Sequence, residues 1–350
     1  MSLSSCFFPP SYEYFTEMDQ LMFFCDLVLL LLYSLTSFIA LLTNGLICRW
    51  SFHRRRHIFS PTIPIKNVLS YSSHRFLLNL AVSDALSGLT ISIQLLFCSK
   101  YLLERFTLCS YICLLTKSLQ ILASNSSILT VCIIAFDRYR IVQNPFQHYD
   151  RRRTYQIIVF IWLFSSLFSL MSFISLRIPI YFNSYEQLIT CKILFPTTWK
   201  YLSTNQIRKI RLFCLIFLFH ILPFLIITSL CLLTARLLAR RRIIGVQQFR
   251  TFEQSRTRSI RLLIIILIAF TFSHLPLNFL YMRDIFLLKK DFNQCQYSTI
   301  YFLFYWLSIS SCCHNPIIYS WFNRTYRNSI FNWYRSIIYC RRHVQTRRQF

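Results

Sequence analysis

The sequence predicts an all-α fold, a seven-transmembrane helix bundle with a short amphipathic helix after the seventh span. Three observations carry this expectation. Apolar stretches recur at 27–48, 76–98, 112–134, 155–173, 212–233, 260–280 and 298–321, each near the roughly 20 residues that cross a bilayer as a helix. Hydrophobic residues make up 55% of the chain and mean hydropathy is +0.45, while 14% of residues are charged, against roughly 25% in soluble domains. A soluble core could not hide so much apolar surface. Finally, the basic residues gather in alternate connections between the spans.

That last pattern orients the chain. About two thirds of the 38 Lys and Arg fall after the first, third, fifth and seventh spans, in groups such as Arg54 to Arg56, Arg151 to Arg153, Arg240 to Arg242 and Arg341 to Arg342. Cytoplasmic loops are enriched in Lys and Arg, so the N-terminus is expected outside and the C-terminus inside. The net charge of +26 is spread over loops and not over one face. It therefore suits anionic inner-leaflet lipid rather than nucleic acid.

Each segment follows in order. Residues 1–26 read as an extracellular segment, 27–321 as the transmembrane domain and 322–350 as a cytoplasmic tail. Met1 to Asp26 lacks a basic start followed by an apolar core, so the first span reads as a signal anchor. The loop 49–75 holds Pro61 and Pro64, which argue against continuous helix. The stretch 177–211 is the longest outer loop, a natural lid. Phe322, Tyr326, Ile330, Phe331 and Tyr334 recur at helical intervals among basic residues, as in an amphipathic helix on the inner membrane face. Asn125-Ser126-Ser127 falls inside the third span, where glycosylation is not expected.

Catalytic signatures are missing from the sequence. There is no His-Glu-x-x-His, Gly-x-Ser-x-Gly or Walker loop, and three glycines cannot build a phosphate cradle. The eight histidines are scattered, and the 14 cysteines form no Cys-x-x-Cys pair of the kind that holds zinc. No metal is expected apart from the sodium considered next.

Polar residues inside apolar spans need a reason. Asp84 lies mid-span, where a carboxylate costs roughly 2.5–3.5 kcal/mol on insertion scales, so it must face the bundle interior. Partners at the right depth are Asn44, Ser127, Ser311 and Asn315. Two readings stand side by side: a neutral, hydrogen-bonded structural acid, or a partly hydrated sodium site.

Asn44, the run Leu80-Ala81-Val82-Ser83-Asp84, Asp137-Arg138-Tyr139 followed by Pro145, Trp162, Pro223, Phe270 with Pro276, and Asn315-Pro316-Ile317-Ile318-Tyr319 fall one set per span, in order. Together they resemble a rhodopsin-like (class A) G-protein-coupled receptor over about 27–331. The resemblance implies that Arg138 pairs with Asp137 at rest and meets the G protein when the sixth helix swings outward. It also implies that Tyr319 rotates inward on activation, with Asn315 and Pro316 in the same motif, and that Phe146 plugs into the G protein. A disulfide from Cys113 to Cys191 would pin the outer loop, with Cys109 as the competing partner. Cys340 is a palmitoylation candidate.

On the same resemblance, Gln120 stands where amine receptors carry an acid and Ile309 where opsins carry lysine, which argues against both ligand classes. Gln94, Gln120, His274, Asn278, Tyr281 and Tyr305 would line the pocket, with Asp284 and Lys289 at its rim. Neutral hydrogen-bonding groups of this kind suit a peptide. Departures from the family pattern are His274 for the expected tryptophan, Ser273 for the preceding cysteine, Cys231 for a tyrosine and Arg256 for an acid at the base of the sixth helix.

The expected protein is thus a multi-pass plasma-membrane receptor, not an enzyme. It would bind an extracellular peptide, activate a heterotrimeric G protein and engage arrestin, with no cofactor beyond sodium near Asp84. The alternatives are a chemosensory receptor for small molecules or, from another class, a channel or carrier.

Overall fold

A computed structural model describes residues 17–58, 71–97, 107–144, 150–174, 204–242, 249–286, 294–322 and 327–328. Its elements are α1 (Glu17–Ile58), α2 (Tyr71–Phe97), α3 (Thr107–Gln143), α4 (Arg151–Ile174), α5 (Thr204–Ile216), a π-helical turn (Phe217–Ile221), α6 (Leu222–Arg242), α7 (Phe249–Phe286), α8 (Gln294–Ile309) and α9 (Ser311–Phe322). They stack into seven columns. Column five is α5, the π turn and α6; column six is α7; column seven is α8 with α9.

Six columns contain continuous helix long and apolar enough to span a membrane: Leu27–Ser51, His74–Leu95, Leu115–Gln143, Arg151–Leu170, Leu212–Leu237 and Arg261–Arg283. The seventh expected span is broken by a turn at Ser310 into two shorter helices. Here Ser310 N–H still donates to Trp306 O at 2.9 Å and Cys313 N–H to Ser310 O at 2.9 Å, so the chain bends without losing its direction. Helix also extends beyond the apolar limits. α1 runs through Ile58 and α2 starts at Tyr71, which shortens the expected 49–75 loop from both sides. Its two prolines, and the amphipathic helix expected after 322 apart from Arg327 and Asn328, lie outside the described residues.

The burial pattern follows from a membrane solvent. Leu31, Phe38, Phe160, Leu163, Phe272, Phe279 and Trp321 are exposed, an apolar exterior that lipid would cover. The interior combines an apolar core with polar cross-links. Phe76, Leu80, Ile128, Val131, Cys132, Ile134, Ala135, Phe219, Ile227, Cys231, Leu263, Ile266, Leu267 and Tyr319 form one cluster drawn from columns two, three, five, six and seven. Phe168 meets Phe219 edge-on, with ring centres 5.1 Å apart, joining column four to column five.

Small residues bring columns one and two close together, as is common between membrane helices. A Cβ built on Gly88 would lie 2.8 Å from the Ala40 Cβ, so only glycine fits unless the helices part. The approach lets Ser37 Oγ donate to Gly88 O at 2.7 Å.

Candidate functional site

Proline chemistry shapes the middle of the bundle. Pro316 has no N–H, so the carbonyl four residues earlier loses its helical donor. That carbonyl is Cys312 O, and Asn44 Nδ2 of column one donates to it at 3.1 Å and to Ala40 O at 2.9 Å. The sequence reading placed Asn44 beside Asp84; its amide instead repairs the proline defect. Asn44 is fully buried, and its Oδ1 has no partner among the described residues.

Asp84 is 2% exposed. Ser127 Oγ donates to Oδ1 at 2.7 Å and Asn315 Nδ2 to Oδ2 at 2.8 Å. Columns two, three and seven thus meet on one carboxylate. Ser311, the fourth expected partner, makes no hydrogen bond to it among the described residues; it sits four residues before Asn315, immediately after the turn. Asn125 is buried in this region, which keeps its sequon from solvent.

A second set of cross-links adjoins this one and extends about one helical turn toward the Asp137-Arg138-Tyr139 end. Asn79 Nδ2 donates to Thr130 Oγ1 at 2.8 Å, Trp162 Nε1 donates to Asn79 Oδ1 at 2.8 Å, and Ser83 and Ser126 hydroxyls are 2.6 Å apart. Asn79 therefore ties columns two, three and four together.

At that end of column three, Asp137 is buried and Arg138 half-buried. Tyr319 is buried at 7% exposure, lies within electrostatic reach of Arg138, and its hydroxyl has no partner among the described residues. Cys231 is buried in the same apolar cluster as Tyr319. Asn44, Leu80, Ala81, Asn315 and Tyr319 line a narrow cleft between columns one, two and seven. Tyr139 is half-buried. Phe146, Cys191 and the side chains of Cys109, Cys113, Arg256 and Asp284 lie outside the described residues.

Toward the opposite end, the expected pocket residues are drawn into pairs. Gln120 is 8% exposed and its Oε1 accepts from Thr90 Oγ1, so this amide also braces columns two and three. Gln94 Nε2 is buried without a partner among the described residues. Tyr281 and Tyr301 hydroxyls are 3.0 Å apart, Tyr301 stacks on Tyr305 at 6.3 Å, and Tyr305 lies 6.4 Å from the Tyr33 ring. A tyrosine ladder therefore runs from column six through seven to column one. Asn278 is half-buried one turn from His274.

His274 is 6% exposed, and its Nδ1 is 2.7 Å from Ser308 Oγ. The histidines that read as scattered are brought together here: His220 from the π turn, His274 from column six and His314 from column seven. His220 and His274 ring centres are 4.9 Å apart, and His314 Nδ1 lies 3.4 Å from Ser273 Oγ. Sequence reasoning missed His220, Ser308, Thr90, Tyr33 and Tyr301. The available signal was a polar side chain inside an apolar span, which for His220 sits three residues before Pro223.

Comparison with known proteins agrees with this arrangement. The sequence profile described as "7 transmembrane receptor (rhodopsin family)" matches residues 62–319. The chain is similar to the tachykinin-like peptides receptor 86C of Drosophila melanogaster, 26% identical over 337 residues, covering 93% of this chain and 61% of that protein. It is similar to the RYamide receptor of the same species, 24% identical over 314 residues, covering 86% and 62%. The human substance-P receptor is 25% identical over 209 residues, covering 58% and 48%. The chain thus spans less than two thirds of the length of these relatives.

Proposed function

The chain belongs to the rhodopsin family of seven-transmembrane receptors, and from that premise we propose that it binds an extracellular peptide and activates a heterotrimeric G protein at its cytoplasmic face. It acts as a receptor and catalyses no chemistry itself, and it sits in the plasma membrane with the basic end inside. The observation that carries the reading is the Asp84 junction. One buried carboxylate joins columns two, three and seven, while the Tyr319 hydroxyl on column seven has no partner among the described residues and lies near Arg138. A change in column seven at that junction would pass directly to the arginine that meets the G protein.

The peptide assignment rests on the neutral amide and tyrosine lining and on the relatives, whose names specify tachykinin-like peptides, RYamide and substance P. Gln120, which stands where amine receptors carry an acid, argues against an ammonium ligand. Arrestin and inner-leaflet lipid are further partners of the same basic face.

A sodium ion near Asp84 is part of the same proposal. Hard cations take oxygen ligands, and the Asp84 carboxylate and the Ser127 hydroxyl, 2.7 Å apart, would supply two of them. When bound, the ion would neutralise the buried charge and favour the resting arrangement. The Cys113–Cys191 bridge completes the outer face of the proposal.

The decisive experiment is a screen of peptide extracts against cells expressing the receptor with a promiscuous G protein. A peptide response lost in Arg138→Ala at equal surface expression supports the reading. Ligand-gated currents that persist with G proteins blocked would replace it with a channel. An epitope tag before Met18 should be reached by antibody on intact cells, and one after Arg348 only after permeabilisation.

A further inference from the structure

The histidine layer has a chemistry that peptide binding and coupling do not use. His220 is carried on the π turn Phe217–Ile221, an irregularity frequent at functional sites. Its ring meets His274 at 4.9 Å between centres and 62° between planes. Among the described residues His220 Nδ1 and His274 Nε2 are both buried without a well-formed hydrogen bond, the His220 ring having only a weak contact with the Leu215 carbonyl five residues earlier. Buried polar atoms left this way call for an ion or a water.

The ring spacing separates those two occupants. Two imidazoles on one tetrahedral zinc, each with a Zn–N bond of about 2.0–2.1 Å, place their ring centres about 5.2 Å apart. A water hydrogen-bonded to the same two nitrogens at about 2.9 Å would spread the centres to about 6.6 Å. The observed 4.9 Å is close to the metal value and too short for a shared water; a direct edge-to-face contact of the two rings gives the same spacing, but only a metal would give both nitrogens a ligand. His274 has the expected outer contact as well: its other ring nitrogen is held by Ser308 Oγ at 2.7 Å, the type of bond that orients a metal-binding imidazole.

We propose that His220 and His274 together bind a divalent transition-metal ion, zinc in particular, and so bridge columns five and six. Imidazole donors suit this class of ion. No third His, Cys, Asp or Glu completes a closed set among the described residues. The remaining positions would be filled by water or by a donor atom of a bound ligand, as in an open rather than a sealed site. Bound metal holds columns five and six together and opposes their separation. This consequence for signalling rests on the coupling proposed above; the binding does not.

Full-length receptor in lipid nanodiscs, stripped with chelator, is dialysed against Zn2+ and titrated calorimetrically. Wild type and His314→Gln are expected to hold one saturable zinc that His220→Gln and His274→Gln bind at least tenfold more weakly. Equal zinc uptake and affinity in wild type and both variants overturns the site. Should the variants fail to fold, X-ray absorption of the wild-type zinc complex decides: scattering from two imidazoles supports the site, and its absence overturns it. In a second arm, zinc lowers nucleotide exchange on the G protein severalfold in wild type and not in the variants. Zinc bound as expected with exchange unchanged overturns the clamp alone. Absence of exchange in zinc-free wild type counts against the coupling reading, while the binding arm still decides the metal.

Discussion

Columns two and three differ from columns five and six in how they treat polar groups. In columns two and three, 56% of each spanning window is buried, against 28% and 33% in five and six. Asp84, Asn79, Ser83, Ser126, Ser127 and Thr130 are all hydrogen-bonded across helices. Buried polar atoms without a well-formed partner among the described residues occur in both regions, Gln94 Nε2, Ser118 Oγ and Asn125 Nδ2 in columns two and three and the Thr228 hydroxyl, His220 Nδ1 and His274 Nε2 in columns five and six, so the regions differ in burial and in the number of cross-links. A π turn precedes Pro223, and Pro276 interrupts the hydrogen bonding of column six. The contrast teaches where motion is stored. Dense cross-links and deep burial define one arrangement, whereas sparser packing beside interrupted helices leaves room for a second.

The largest expected effect lies where the two regions meet. Arg138→Ala should abolish nucleotide exchange while surface expression persists, measured with purified G protein at matched receptor levels. Retained exchange would remove Arg138 from the interface between the braced and the mobile columns.

Breaking the braced region should cost stability. Asn79→Ala strands the Trp162 Nε1 donor and frees Thr130, which is expected to destabilise the receptor by about 1–3 kcal/mol. Thermal unfolding in nanodiscs reads this directly, and an unchanged midpoint would show that these bonds are replaced by others. The same region offers a packing test. Gly88→Ala places a methyl 2.8 Å from Ala40 Cβ, while Gly45 has nothing within 4 Å. Overpacking should cost about 1–3 kcal/mol at Gly88, nearer the lower end for one methyl, whereas Gly45→Ala should be neutral or slightly stabilising. Equal midpoints for the two variants would mean that columns one and two separate freely.

The smallest effects concern the mobile region and its resting state. By the family resemblance Arg256 stands where an acid would restrain Arg138, so basal signalling should be measurable, and Arg256→Glu should lower it by a fraction of a charge-assisted bond of roughly 1.5–3 kcal/mol, since Asp137 already restrains Arg138. Cys231→Tyr should raise it, because the Tyr319 hydroxyl has no partner among the described residues and a neutral bond contributes about 0.5–1.5 kcal/mol. The readout is ligand-free G-protein activation at matched surface expression. No change in Arg256→Glu would refute the missing clamp.

Much of this was legible without coordinates. Length and apolarity of the spans set the helices, because a bilayer core leaves no other way to satisfy the backbone than helices or closed barrels. The ordered residues from Asn44 to Tyr319 named the family, and the burial of Asp84 followed from the cost of a carboxylate in lipid. What the sequence alone did not decide was partnership. Asn44 turned from Asp84 to Cys312 O because Pro316 had removed the nearer donor. Ser311 fell out of the Asp84 junction behind the turn at Ser310, and the seventh span became two helices. His220, His274 and His314 carry no common spacing, being 54 and 40 residues apart in the chain, so only the packing of columns five, six and seven could bring them into one layer. Hydropathy is a property of each segment, but a hydrogen bond or a shared ion requires two segments at a fixed distance and rotation, and those are set by tertiary packing.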